Sequence, residues 1–137
     1  MQEMLEQAKI ARALAYAPYS RFQVGCCLQS GSGKLYRGTN IENASYGLTL
    51  CAEGSAIAAM LNAGETIIKA VTVISSGQKI CTPCGACRQR LREFAALDTP
   101  VHMYNSAEEK MSLTLAALLP HSFGPEFLGA SHIETSA

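Results

Sequence analysis

The sequence predicts an α/β protein with a mixed sheet between helices. Two observations carry this reading. Two short strand-like runs flank a Gly31-Ser32-Gly33 turn and read as a hairpin. Helical and strand-like segments alternate after it, which is the pattern of a sheet covered by helices. Length and composition agree. With 137 residues, 48% of them apolar and 16% charged, the chain suits a single packed domain over residues 1–137 and is too apolar for a disordered segment.

The elements follow in order. Leu5, Ala8, Ala11 and Ala15 recur at helical spacing, so Gln2 to Tyr16 reads as a helix that Pro18 stops. Phe22 to Gln29 alternates, with Phe22, Val24, Cys26 and Leu28 on one strand face and Cys27 on the other. Lys34 to Gly38 is the second hairpin strand, and the polar Thr39 to Thr49 stretch reads as a loop. Cys51 to Ala63 is a helix stopped by Gly64. The β-branched run Ile67 to Ile74 is a buried strand. A loop to Pro83 leads into a helix from Cys84 to Phe94, and Val101 to Tyr104 is a short strand. Leu115 to Leu119 is a helical turn with Thr114 as its cap, ended by Pro120. Residues 129–137 hold few anchoring side chains and read as a loose tail. Glu108-Glu109-Lys110 reads as a solvated turn.

Charge and hydropathy narrow the function. Eleven basic residues balance eleven acidic ones, which argues against a nucleic-acid partner, because such affinity rests on excess Lys and Arg. No apolar run approaches the roughly 20 residues that span a bilayer, so no membrane partner is expected. Met1 to Ala15 lacks the pattern of a signal peptide, and a cytoplasmic, reducing location is expected. Six cysteines in such a compartment point to a metal or to catalysis rather than to disulfides.

Two segments fit a metal centre, Cys51-Ala52-Glu53 and Pro83-Cys84-Gly85-Ala86-Cys87. Each opens an expected helix. Cys84 and Cys87 share one helix face and can grip one ion; Cys51 joins them if the two helix starts meet. Three protein ligands leave the fourth position of zinc open, as in catalytic sites. Helix N-termini favour anions, which suits thiolates. Glu53 can then reach a water on the metal and carry its proton. This arrangement is already established for zinc-dependent base deaminases.

Tyr19 to Phe127 resembles the short, three-cysteine cytidine deaminases. The resemblance rests on Phe22-Gln23-Val24-Gly25, Asn40-Ile41-Glu42-Asn43-Ala44-Ser45-Tyr46, both cysteine segments with Arg88-Gln89, and Leu118-Leu119-Pro120-His121-Ser122-Phe123. It implies a three-layer α-β-α cytidine deaminase-like fold with a mixed sheet of about five strands. It also implies hydrolysis of cytidine and 2'-deoxycytidine to the uridines and ammonia, a step of pyrimidine salvage acting on free nucleosides. Cys51, Cys84 and Cys87 would hold one Zn2+ per subunit. Glu53 would move protons from the metal's water to N3 and the leaving amine. Asn40 and Glu42 would hold the ribose hydroxyls, and Phe22 would line the base pocket. Ala44, Tyr46 and Phe123 would come from neighbouring subunits of a homotetramer.

One departure stands out. The family continues Cys-Ala-Glu with Arg-Thr, and this chain has Gly54-Ser55. Three thiolates on a dication leave a net negative centre, which opposes ionisation of a bound water. An Arg would offset that charge; Arg88, beside Cys87, is the candidate to do so here. Arg88 and Arg92 share a helix face, with Arg90 pointing elsewhere. Gly54 and Ser55 are also specificity candidates: they could clear volume for N4-substituted cytidines or another aminated heterocycle. A structural four-cysteine zinc or iron–sulfur module using Cys51, Cys81, Cys84 and Cys87 is the alternative of another class. Cys81-x-x-Cys84-x-x-Cys87 begins like an iron–sulfur run, but the Cys-Pro that should follow is missing. Asn40 and Glu42, on sequence grounds alone, could be loop caps. His102, His121 and His132 have no second His at ligand spacing.

Overall fold

The computed structural model describes residues 1–130 and contains a five-stranded sheet in the order β2-β1-β3-β4-β5. The strands are β1 (Val24–Ser30), β2 (Leu35–Thr39), β3 (Ile68–Ser75), β4 (Pro100–Tyr104) and β5 (Lys110–Thr114). The helices are α1 (Gln2–Ala13), α2 (Ala52–Asn62), α3 (Gly85–Phe94) and the short α4 (Leu115–Leu118). Only β3 and β4 run parallel; the other neighbours are antiparallel, so the sheet is mixed. The parallel pair needs a crossover, and α3 lies in it.

Side-chain alternation sorts the two layers. Cys26, Leu28, Val71, Val73, Val101 and Met103 point to one face, with α2, Leu91 of α3 and both leucines of α4. Cys27, Ala70, Ile74 and Tyr104 point to the other, against Met4, Leu5 and Ala8 of α1. A period of two along a strand produces this division. Both adjacent cysteines are fully buried as core residues, as the alternation implied.

Two glycines set how closely the helices approach. A Cβ on Gly25 would lie 1.9 Å from the Ala8 carbonyl oxygen in α1. A Cβ on Gly38 would lie 2.2 Å from both the Ala52 carbonyl oxygen and the Ala56 nitrogen of α2. The first turn of α2, which carries the metal-centre residues, therefore rests directly on the β2 backbone.

Two differences from the sequence reading are the largest. Helix α1 ends at Ala13 rather than Tyr16. Tyr16 instead bridges Ile41, its N–H donating to the Asn40 carbonyl at 3.0 Å. Of the expected solvated turn Glu108-Glu109-Lys110, Glu108 and Glu109 are exposed outside any strand, while Lys110 opens strand β5, which the sequence reading lacks. It is an edge strand with only Met111 half-buried, so it lacks the apolar alternation that marks a strand. Its position comes from pairing with β4, from the Asn105 side chain, which accepts the Glu109 N–H at 2.8 Å, and from a His102–Ser112 hydrogen bond of 2.7 Å. The helical turn at Leu115 is as expected, with Thr114 Oγ1 accepting the Ala117 N–H. Gly129 and Ala130 are exposed. Residues 131–137, including His132 and most of the expected loose tail, lie outside the described residues.

A polar clasp joins the hairpin to the turn after α2. Glu65 Oε2 accepts Tyr36 OH at 2.5 Å and Ser30 Oγ at 2.9 Å. The Tyr36 hydroxyl, then those of Ser32 and Ser30, hold the Glu65 carboxyl down at about 2, against an ordinary 4.5. A depressed carboxyl stabilises the fold above its ordinary range and loses that contribution as pH falls. Glu65→Gln is therefore expected to melt below wild type at pH 7. The gap should close between pH 4.5 and about 2, as followed by circular dichroism.

Candidate active site

Cys51 and Cys84 occupy matching positions. Each is the N-cap of its helix, with extended backbone of φ −74°, ψ 156° and φ −65°, ψ 166°. Neither side chain caps its own helix. Their sulfurs turn to one another instead, 4.0 Å apart. Cys87, in the first turn of α3, completes the group, and the three sulfur atoms lie within 4.8 Å of one another. Zinc–sulfur bonds of about 2.3 Å in a tetrahedron separate sulfurs by about 3.8 Å, so this donor set fits zinc with little movement. Cys81 stands outside the group, its thiol on the Thr82 carbonyl at 3.6 Å. A four-cysteine module therefore lacks its fourth ligand here.

The thiols are tuned unequally. Burial, set against hydrogen bonding from Cys87, pushes Cys51 up. Burial, then the Glu53 and Cys51 charges, drives Cys87 well above the ordinary thiol range. At Cys84 burial also works upward, but the Cys87 N–H and the two neighbouring thiols outweigh it and bring Cys84 down. A dication binding here requires all three thiols to give up their protons.

Glu53 is 4% exposed on the inner side of the same turn. Burial raises its carboxyl above the ordinary range, while its own N–H, the Cys87 thiol and the Arg90 cation pull it partly back. A carboxyl raised in this way holds a proton more readily than an exposed one, which suits a group that moves protons.

Arg88, the charge partner expected from the sequence, makes its hydrogen bonds away from the thiols. Arg88 donates to the Pro83 carbonyl at 2.7 Å, the Leu118 carbonyl at 2.7 Å and Thr82 Oγ1 at 3.1 Å, and so braces the cysteine loop against α4. Arg90 reaches one thiol, with Nη1 3.6 Å from Cys87 Sγ. Cys87 and Arg90 are three residues apart on α3 and therefore neighbours, a spacing that could have identified the pair. Beside Gly54, a Cβ would lie 2.8 Å from Leu50 Cδ1 and 3.8 Å from Arg90 Cδ. Ser55 Oγ faces β2, within 3.4 Å of the Thr39 N–H.

The Asn40–Tyr46 loop is tied to the residue before Cys51 by the Ile41–Leu50 bridge. Asn40 is buried and clips the strand entry: its amide donates to the Phe22 carbonyl at 2.8 Å and accepts the Val24 N–H at 2.9 Å. Glu42 accepts the Tyr19 and Ser20 N–H groups at 2.9 and 3.1 Å, and also the Ser20 hydroxyl. That hydroxyl, with the backbone bonds, outweighs burial and lowers the Glu42 carboxyl. Glu42, Tyr46, Tyr19, Ser20, Asn43 and Thr49 line a cavity of about 330 Å3. Ala44, Tyr46, Phe22 and Phe123 are exposed, with Phe123 resting on Phe127 at 5.0 Å. Buried Arg92 fixes the segment that bears Phe123, bonding Ser122 Oγ at 2.8 Å and pairing with Glu126.

Residues 1–103 match the family model of the cytidine and deoxycytidylate deaminase zinc-binding region. A cytidine deaminase of Halalkalibacterium halodurans is 42% identical over 125 residues, which is 91% of this chain and 95% of that protein. The chain belongs to the cytidine deaminase family. Solved cytidine deaminases share its fold. The crystal structure from Burkholderia pseudomallei superposes with a TM-score of 0.85 at 40% identity, covering 89% of this chain and 98% of that one. The structure from Mycobacterium tuberculosis gives 0.77 at 35% identity, covering 90% and 96%.

Within this cytidine deaminase-family fold, the residues expected from sequence fall into two groups. Cys51, Cys84, Cys87 and Glu53 converge within one subunit. Asn40, Glu42 and Phe22 lie together on the loop and strand entry. The sequence reading did not single out Tyr19 or Ser20, and it turned Arg90 away from the Arg88 face. The serine and tyrosine contribute backbone N–H groups, which leave no mark on residue type.

Proposed function

We propose that this chain hydrolyses cytidine and 2'-deoxycytidine to the corresponding uridines and ammonia. The observation that supports it most is the meeting of three cysteine sulfurs with a buried Glu53 at two helix starts. Cys51, Cys84 and Cys87 would hold zinc, leaving one position open. Zinc bound there supplies Lewis acidity that makes water acidic near neutral pH.

The chain's own residues supply the rest. Glu53 would accept one proton of the water and pass it to N3 as the water oxygen bonds C4 of the base. It would then take the second proton from that oxygen and give it to the amine, which leaves as ammonia as the C4 carbonyl forms. Burial keeps water away from that carboxyl, so the proton stays on the reaction path. A carboxylate offers about four acceptor sites, and three of those on Glu42 are taken, so one remains for a ribose hydroxyl. Asn40 likewise retains one amide hydrogen and one lone pair. Phe22 offers an aromatic edge to the base.

The exposed Ala44, Tyr46 and Phe123 support a homotetramer in which neighbouring subunits complete each pocket. Six free thiols suit a reducing, cytoplasmic location. Among the described residues no helix is long and apolar enough to cross a membrane. Ultraviolet assay of cytidine, deoxycytidine and N4-methylcytidine tests the substrate, with ammonia measured alongside. Turnover of the first two is expected; exclusive turnover of the third would sink the proposal. Light scattering on the eluting enzyme tests assembly, and an active monomer would refute the shared pocket.

A further inference from the structure

Three arginines lie on α3, at Arg88, Arg90 and Arg92, and two are committed elsewhere. Arg88 spends its guanidinium on Pro83, Leu118 and Thr82. Arg92 spends its own on Ser122 and Glu126. Arg90 alone of the three is bonded to a thiol, through Nη1 to Cys87 Sγ at 3.6 Å. Its stem crosses the first turn of α2, with Cδ 3.8 Å from where a Cβ on residue 54 would stand. A methyl at position 54 would touch that stem at ordinary van der Waals distance.

We infer that Arg90 is a positioning residue for the three-cysteine centre, supplying across α2 the positive charge that position 54 cannot supply itself. This rests on the reading of Cys51, Cys84 and Cys87 as zinc ligands. Three thiolates and a dication sum to one negative charge, and one guanidinium brings the total to zero. A hydrogen bond to a thiolate also draws electron density from sulfur. The sulfur then donates less to the metal, which remains the stronger Lewis acid. Partners that bond to metal ligands in this way commonly control affinity or activity about 10- to 100-fold. Position 54 and Arg90 thus form a coupled pair serving one space. A side chain from α2 or one from α3 can bring the cation there.

The test uses full-length protein loaded with zinc for kinetics and with cobalt(II) for spectroscopy. Arg90→Met is expected to lower kcat for cytidine about 10- to 100-fold with little change in KM. In the cobalt protein its sulfur-to-metal charge-transfer band is expected to move to longer wavelength, because a sulfur without its hydrogen bond gives up an electron more easily. A residue with only a packing role would not move that band. Gly54→Arg, added to Arg90→Met, is expected to return the band and most of kcat. The nearest obstacle to that side chain is the Leu50 methyl, the mobile end of a side chain. Arg90→Gln keeps the stem over position 54 and removes the charge, so it gives the same reading should Arg90→Met fold poorly. Wild-type kcat and an unmoved band in Arg90→Met or Arg90→Gln would overturn the inference. Wild-type cobalt protein without any sulfur-to-metal band would overturn the zinc-ligand reading beneath it as well.

Discussion

Glu53→Gln is expected to lower cytidine turnover about 100- to 10,000-fold, the range over which a positioned general acid–base group acts. Zinc content should be unchanged, because Glu53 is not one of the three converging sulfur ligands. Turnover is read from the ultraviolet change on conversion of cytidine to uridine, and zinc by elemental analysis. Stability should move the other way. Burial raises the Glu53 carboxyl, so the folded state takes up a proton more readily than the unfolded chain. Its ionised form therefore costs stability above the raised value, and that cost fades as pH falls to 4.5. Metal-free Glu53→Gln should melt at or above metal-free wild type at pH 7. A melting point below wild type would show that the carboxyl has a structural use.

Gly38→Ala should have the largest effect on folding. Its added methyl would meet the Ala52 carbonyl oxygen and the Ala56 nitrogen at 2.2 Å. Both are backbone atoms in a helix that cannot yield without moving Cys51 and Glu53 as well. Overpacking typically costs about 1–3 kcal/mol, and a rigid clash of this kind should cost at least about 3 kcal/mol. For a chain of this size that is roughly 10 °C in melting temperature. Gly47→Ala is the control: a Cβ there meets nothing within 4 Å, and only about 0.5 kcal/mol is expected. Activity of Gly38→Ala should fall even where the protein remains folded, because β2 supports the turn that carries the site.

The metal centre was legible because its information is local. Cys51 and Cys84 each sit just before a helix, and spacing alone puts Cys87 on the same end of α3 as Cys84. Cys26 and Cys27 were legible for the same reason, since a strand must send neighbours to opposite faces. Strand β5 was not legible. Lys110, Ser112 and Thr114 are polar edge residues, and their strand state comes from hydrogen bonds to β4, not from their own pattern. The arginines were half legible. Sequence adjacency suggested Arg88, but on a helix the neighbour of Cys87 is the residue three places on, Arg90. The position of Glu42 was the least legible, because the groups that hold it are mostly main-chain N–H groups from Tyr19 and Ser20.

The most direct measurement is a zinc titration of the metal-free protein with cytidine turnover followed at each step, alongside Cys87→Ala. Activity should be absent at the start, rise in proportion to added zinc, and level off at one zinc per chain. Cys87→Ala should bind zinc weakly and stay inactive. Turnover by the metal-free protein, or full turnover by Cys87→Ala, would contradict a catalytic centre built on these three cysteines.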